Sequence, residues 1–210
     1  HEYLYLLGNV VNLPGVSYFD HASGFNRSGK SHRDIALLLD GLKKEPKNSR
    51  YMFYLAQSYR DAGEDELALE AYKNRIALQG WDQETYHAMV ETGRCLDRLG
   101  RVAEALLQFQ KTWSFRPSRR DAIYHCIRIL RVLGQFKLAR YYADLAYSID
   151  ANTNDILFID KDASSWKLDD EVSISAYWDG DYYCSLNLAL RALETISIPP
   201  ESVKRIKKNA

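Results

Sequence analysis

The sequence predicts a mostly α-helical chain made of about four helix–turn–helix hairpins, preceded by a short β or loop segment. Three observations predict it. Gly63, Gly100, Gly134 and Gly180 recur at intervals of 37, 34 and 46 residues. Five positions after each glycine stands a small residue: Ala68, Ala105, Ala139 and Ser185. Seven positions before come Ala56, Gly93, Ile127 and Ser173, and four before come Tyr59, Leu96, Leu130 and Ala176. Small side chains let two helices approach closely, and glycine takes up the left-handed backbone that a tight turn between them needs.

Composition bounds the classes. The 210 residues carry 28 basic and 28 acidic side chains, 46% hydrophobic and 27% charged residues, which is a globular mix with enough length to bury a core. A formal net charge of zero provides no global field to recruit nucleic acid or an anionic membrane, so charge-driven binding must come from local patches. Every apolar run is far shorter than the roughly 20 residues of a membrane span. Cys95, Cys126 and Cys184 are odd in number, form no Cys-x-x-Cys and sit in apolar helical patterns. They point to core packing in a reducing, cytoplasmic compartment.

The elements read in order as follows. His1-Glu-Tyr-Leu-Tyr-Leu-Leu has neither a basic leader nor a cleavage site, and is expected to be the middle of a longer chain. Tyr3 to Leu7, Val10 to Leu13 and Val16 to Phe19 are candidate short strands around the Pro14-Gly15 turn, followed by a Gly/Ser/Asn-rich loop. From Ser31 the period becomes helical. Ser31 with Asp34 reads as a capping box ahead of Ile35, Leu38, Leu39 and Leu42, and Pro46 closes that helix. Asn48 is expected to cap a helix to about Asp61, and Asp65 one to about Leu78 that Gly80 ends. The longer last interval places an insertion at 150–168, with Ile156 to Ile159 as a packed loop or strand. A fourth, degenerate hairpin occupies 169–210, and its basic tail, Lys204 to Lys208, is expected to be a solvated or frayed end.

The best unit, Leu55-Ala56-x-x-Tyr59-x-x-x-Gly63-x-x-x-x-Ala68-x-x-x-Tyr72, resembles the tetratricopeptide repeat, and the second keeps Gly93, Gly100, Ala105, Phe109 and Pro117. That resemblance implies a right-handed solenoid whose first helices line a binding groove. Carried onto this chain, the groove holds Arg50, Gln57 and Arg60 from the first unit and His87, Arg94 and Arg98 from the second. Tyr124, Arg128 and Arg131 follow from the third, and Tyr177 and Trp178 from the fourth. Arginine forks suit carboxylates, so the expected partner is an acidic protein or peptide, with a homodimer as a further option. The competing expectation is that these arginines pair with neighbouring acids of the chain. Arg116, Arg119, Arg120, Arg128 and Arg131 near Trp113 and Tyr124 suggest base stacking, but the neutral charge argues against nucleic acid.

Other chemistry is sparse. No histidine pair has the spacing of a helical zinc site, and no metal site is expected in this chain; Gly-x-Ser-x-Gly and phosphate-binding glycine loops do not occur. Asp160-Lys-Asp162 has the form of a divalent-metal motif but lacks the upstream strand–helix alternation, and reads as a loop.

Several phrases, in order along the chain, resemble the carboxy-terminal part of bacterial family-two glycosyltransferases that carry tetratricopeptide repeats. They are His1-Glu2-Tyr3-Leu4, Lys30-x-x-Arg33-Asp34-Ile35, Arg50 to Gly63, Gly80-Trp81-Asp82-Gln83-Glu84 with Gln where the family has Glu, Arg116-Pro117-Ser-Arg119, and Asp170 to Gly180. The resemblance implies that residues 1–30 are the closing edge of a catalytic domain and 31–149 a linker helix with three repeats. It places His1 and Glu2 near the active site, and His21, Lys30 and Arg33 near a donor diphosphate. The parent enzyme would use a divalent metal and a nucleotide sugar. The chain lacks the nucleotide-sugar core, so it is expected to be inactive alone and to bind acceptor, partner or a second copy of itself.

Overall fold

The computed structural model describes residues 29–150, 154–195 and 198–209. The chain divides into two units, His1–Lys30 and Ser31–Ala210. The expected strands before Phe19 lie outside the described residues, as do His1, Glu2 and His21. Among the described residues there are ten helices and no strand.

Helix α1 spans Lys30–Lys44. It begins ahead of Ser31, so Ser31 lies inside the first turn and is not the cap that the Ser31/Asp34 pattern predicts. Four hairpins follow: α2 (Ser49–Asp61) with α3 (Asp65–Ala77), α4 (Asp82–Arg98) with α5 (Val102–Phe115), α6 (Asp121–Val132) with α7 (Phe136–Ser148), and α8 (Trp166–Trp178) with α9 (Tyr182–Leu193). The final helix, α10, covers Pro200–Asn209. Asn48 caps α2 as expected, its Oδ1 accepting the Tyr51 N–H at 3.0 Å. Asp65 is the first residue of α3 and not its cap; its carboxylate faces away to Arg98.

One local geometry builds all four turns. The glycine sits at φ between 70° and 86°, and the next N–H reaches back to the carbonyl five residues earlier. The pairs are Glu64 to Tyr59, Arg101 to Leu96, Gln135 to Leu130 and Asp181 to Ala176, each at 2.9 to 3.0 Å. That bond satisfies a carbonyl the helix end leaves open. Within the hairpins Ala56, Ala68, Ala105 and Ala139 are fully buried. At Gly93 an added Cβ would lie 2.6 Å from the Phe109 ring, so this position needs glycine for close approach rather than for backbone freedom.

The core comprises three clusters along the stack. One cluster joins Tyr72, Tyr86, Phe109 and Ile129, and a second joins Ile123, Ile127, Val172 and Leu188. A third, around Trp166, Ala192 and Ile206, fixes α10. The basic tail is therefore a docked helix and not a frayed end: Ile206 is fully buried, and Arg205 donates to both oxygens of Asp170. Helix α8 starts at Trp166, ahead of Asp169, and residues 154–165 between α7 and α8 are irregular.

Candidate functional site

The first helices of successive hairpins are stitched to one another by arginine–carboxylate pairs. Arg60 on α2 lies 3.5 Å from Glu91 on α4, and Arg94 donates to the same Glu91 at 2.7 Å. Arg128 on α6 pairs with Asp97 on α4, and Arg131 with Glu171 on α8. Arg98 grips Asp65 at the start of α3 at 2.6 Å. Arg94 also donates from Nε to His125 Nε2 at 3.2 Å, so that imidazole nitrogen is an acceptor and the ring is neutral. Burial holds His125 well below its ordinary range, and the neighbouring Arg94 and Arg128 act in the same direction.

The arginines of the expected groove are thus paired within the chain, as the competing expectation has it. Arg60, Arg94, Arg98, Arg128 and Arg131 each engage a carboxylate of the chain. Of their partners, Asp97 belongs to the groove register, whereas Asp65, Glu91 and Glu171 come from helix starts and faces outside it. Arg50 is exposed and donates to the Tyr54 hydroxyl at 3.3 Å. Gln57 is half-buried on α2, and Tyr124 is buried, tilted against His125 at 5.0 Å. Tyr177 and Trp178 are exposed at the end of α8, where their ring partners are Phe136 and Tyr182. Lys30 opens α1, and Arg33, also on α1, lies 4.0 Å from Asp34.

Residues 154–160, within the expected insertion, form an irregular strap that bends at Leu157 and Phe158 and runs across the same face. Gln83 Oε1 accepts the main-chain N–H groups of Ile156 and Leu157, both at 2.9 Å. Arg119 donates to the carbonyls of Leu157 (3.4 Å) and Phe158 (2.9 Å). Asp155 is buried in a fork of Arg116 and Arg119, and the Arg116 bond holds its carboxyl below the usual range. The Phe158 ring stacks on His87 at 4.0 Å and tilts against Phe53 at 5.8 Å. Asp160 reaches Arg94 and Lys167 at 3.5 and 3.6 Å.

Between the strap and α4 and α6 lies a cavity of about 460 Å³ lined by His87, Arg94, Asp121 and Phe158 to Asp162. Burial lowers His87 to about 4, opposed by Glu91 and reinforced by Arg94, Arg60 and Arg119. Asp121 Oδ1 and His87 Nε2 have no hydrogen-bond partner among the described residues. The arginines suggested for base stacking are committed elsewhere: Arg119 to Asp121 and the strap, Arg120 to the carbonyls of Ile149 and Ser164. Asp160 and Asp162 face Lys167, and among the described residues no group of three His, Cys, Asp or Glu side chains is arranged to hold a metal ion.

Gln83, Arg116, Arg119 and the strap itself are the contacts that groove register misses. The 46-residue interval and the acids on either side of Phe158 were their signal in the sequence. Cys95, Cys126 and Cys184 are free thiols. Among the described residues no helix is long and apolar enough to cross a membrane.

No protein-family model and no curated protein matches the chain. Solved structures do match in fold. MamA superposes with a TM-score of 0.64 at 17% identity over 91% of this chain and 99% of that one. YrrB, described as a TPR protein with an unusual peptide-binding site, gives 0.61 at 12% identity, covering 86% and 85%. TTC0263, a TPR protein of Thermus thermophilus, gives 0.59 at 16% identity, covering 87% and 91%. The repeated glycine turns, the small residues inside each hairpin and these likenesses agree on one architecture, an all-helical solenoid of tetratricopeptide type.

Proposed function

We propose that the chain is a protein-interaction module that binds an acidic segment of a partner along the face of α2, α4 and α6. The observation that carries this is the arginine row across three successive units, Arg60, Arg94, Arg98 and Arg128, each half-exposed and each holding a carboxylate. Such forks keep their geometry when one carboxylate is exchanged for another. That YrrB is described as having a peptide-binding site supports the same class of function. Free thiols accord with a cytoplasmic setting.

The glycosyltransferase reading rests on ordered phrases of the sequence alone, and in it the metal and the catalytic step belong outside the described residues, of which Lys30 and Arg33 would approach the donor diphosphate. The interaction reading needs none of them. Its test is titration with fluorescent acidic, neutral and basic peptides at low and high salt. Only the acidic peptide should bind, more weakly at high salt, and Arg94→Ala and Arg128→Ala should each weaken it severalfold. Binding that ignores peptide charge, or survives both substitutions, overturns the proposal.

A further inference from the structure

We propose that residues 155–160 are a built-in competitor for this face, and that its partner is an extended segment with the same pattern: an acid, an aromatic three positions on, and a second acid two beyond. This deepens the interaction reading and rests on it. The strap is held as a bound peptide is held. Gln83 and Arg119 bind its main chain on both edges, independently of its side chains. Three side chains then add selectivity: Asp155 in the Arg116/Arg119 fork, Phe158 on His87, and Asp160 on Arg94.

The strap is also an imperfect occupant. Phe158 takes φ 47°, a left-handed conformation that costs a residue with a bulky side chain. Phe158 as a residue remains 45% exposed and Ile156 80% exposed. Asp160 divides itself between Arg94, Lys167 and the Ala163 N–H. Beneath it the buried Asp121 Oδ1 finds no donor among the described residues. These features follow from a tether at both ends, since the strap must return to α8. A partner segment without that return can keep extended backbone at the aromatic and present an N–H to Asp121. The strap has the advantage of being in cis, so a partner in trans must outcompete a high effective concentration. Buried Ala163 and Trp166 anchor the chain just beyond Asp160, so the strap can lift without unpacking α8.

The test uses a fluorescent peptide of residues 154–161 titrated into the whole chain, into Phe158→Ala and into Asp160→Asn. Both substitutions weaken the strap and leave the face intact, and circular dichroism confirms folding of each. The peptide should bind both variants on the order of 10- to 100-fold more tightly than the unaltered chain, as expected when a competitor that fills the site most of the time is removed. A peptide with Ala at the Phe158 position should not bind. Equal binding to all three proteins, or none to any, overturns the competitor. If general acidic peptides still bind in the Arg94- and Arg128-dependent way, the interaction reading stands without it; if they do not, both fall. A concentration-dependent dimer of the unaltered chain that Phe158→Ala abolishes overturns the partner in trans, because the occupant is then the strap of a second copy.

Discussion

The imidazole of His87 and the ring of Phe158 lie 4.0 Å apart and within 20° of parallel, joining α4 to a loop that enters the fold two helical hairpins later. The ring is buried, and burial favours the neutral imidazole. Protonation would place a cation in a buried site beside Arg60, Arg94 and Arg119, a cost that the neighbouring Glu91 opposes. Because the folded value, about 4, lies below the unfolded value of about 6.5, the contribution of His87 to stability is complete above the unfolded value. It is lost as pH falls toward 4. An NMR titration should show the His87 ring protons shifting near pH 4, accompanied by loss of contacts to Phe158. A His87 that titrates at its ordinary value shows that the ring is not buried under the strap.

Two glycine substitutions should separate packing from backbone freedom. Gly93→Ala places a methyl 2.6 Å from the Phe109 ring, between helices that cannot both move aside, and should cost about 1–3 kcal/mol. Gly134→Ala meets nothing within 4 Å but must hold φ 70°, and should cost about 1 kcal/mol. Urea unfolding of both variants checks the order. A Gly93→Ala protein as stable as the parent would mean that the α4–α5 hairpin is looser than its geometry.

The hairpins were readable in the sequence because their causes are local. A turn glycine, the carbonyl it exposes and a small residue five positions on all fall within a dozen residues, so spacing carries the geometry. The face was readable only in part. Its arginines follow from repeat register, but what they hold does not: Arg98 finds Asp65 33 residues away, Arg131 finds Glu171 40 away, and Gln83 binds Ile156 across 73. Register says which side a residue faces, and nothing in it says which distant loop returns to that side. The cap assignments at Ser31 and Asp65 failed for a related reason. A hydroxyl or carboxylate near a helix start satisfies the pattern even when, as with Asp65, a distant arginine claims it.

Arg119 should be the arginine the fold tolerates losing least. It is 2% exposed, sits over the Tyr86 ring at 4.7 Å, and holds Asp121, Asp155 and two strap carbonyls. Arg119→Ala strands a buried carboxylate at Asp121 and should destabilise by about 3–5 kcal/mol. Arg101→Ala removes an exposed, solvent-screened pair with Glu104 and should leave stability nearly unchanged. Thermal unfolding of the two variants gives the comparison, and near-equal losses would show that Asp121 is relieved by another donor when Arg119 is gone.

The last helix offers a test of how far the stack behaves as separate layers. Ile206 is fully buried and packs in the cluster of Trp166, Ala189 and Ala192, which shares no buried residue with the cluster built on Tyr72, Tyr86 and Phe109. In a solenoid each repeat is stabilised chiefly by its neighbours, so damage at one end should stay there. Ile206→Ala should remove about 2–4 kcal/mol from the docking of α10 by leaving a cavity against Trp166. It should also free Arg205 from Asp170, because the helix that positions it no longer stays seated. Hydrogen exchange should then accelerate in 200–209 and at the start of α8, while amides of α2 to α5 keep the protection of the parent. Acceleration spread evenly over all ten described helices would mean that the clusters unfold as one unit, and that α10 closes a single cooperative core instead of capping one end.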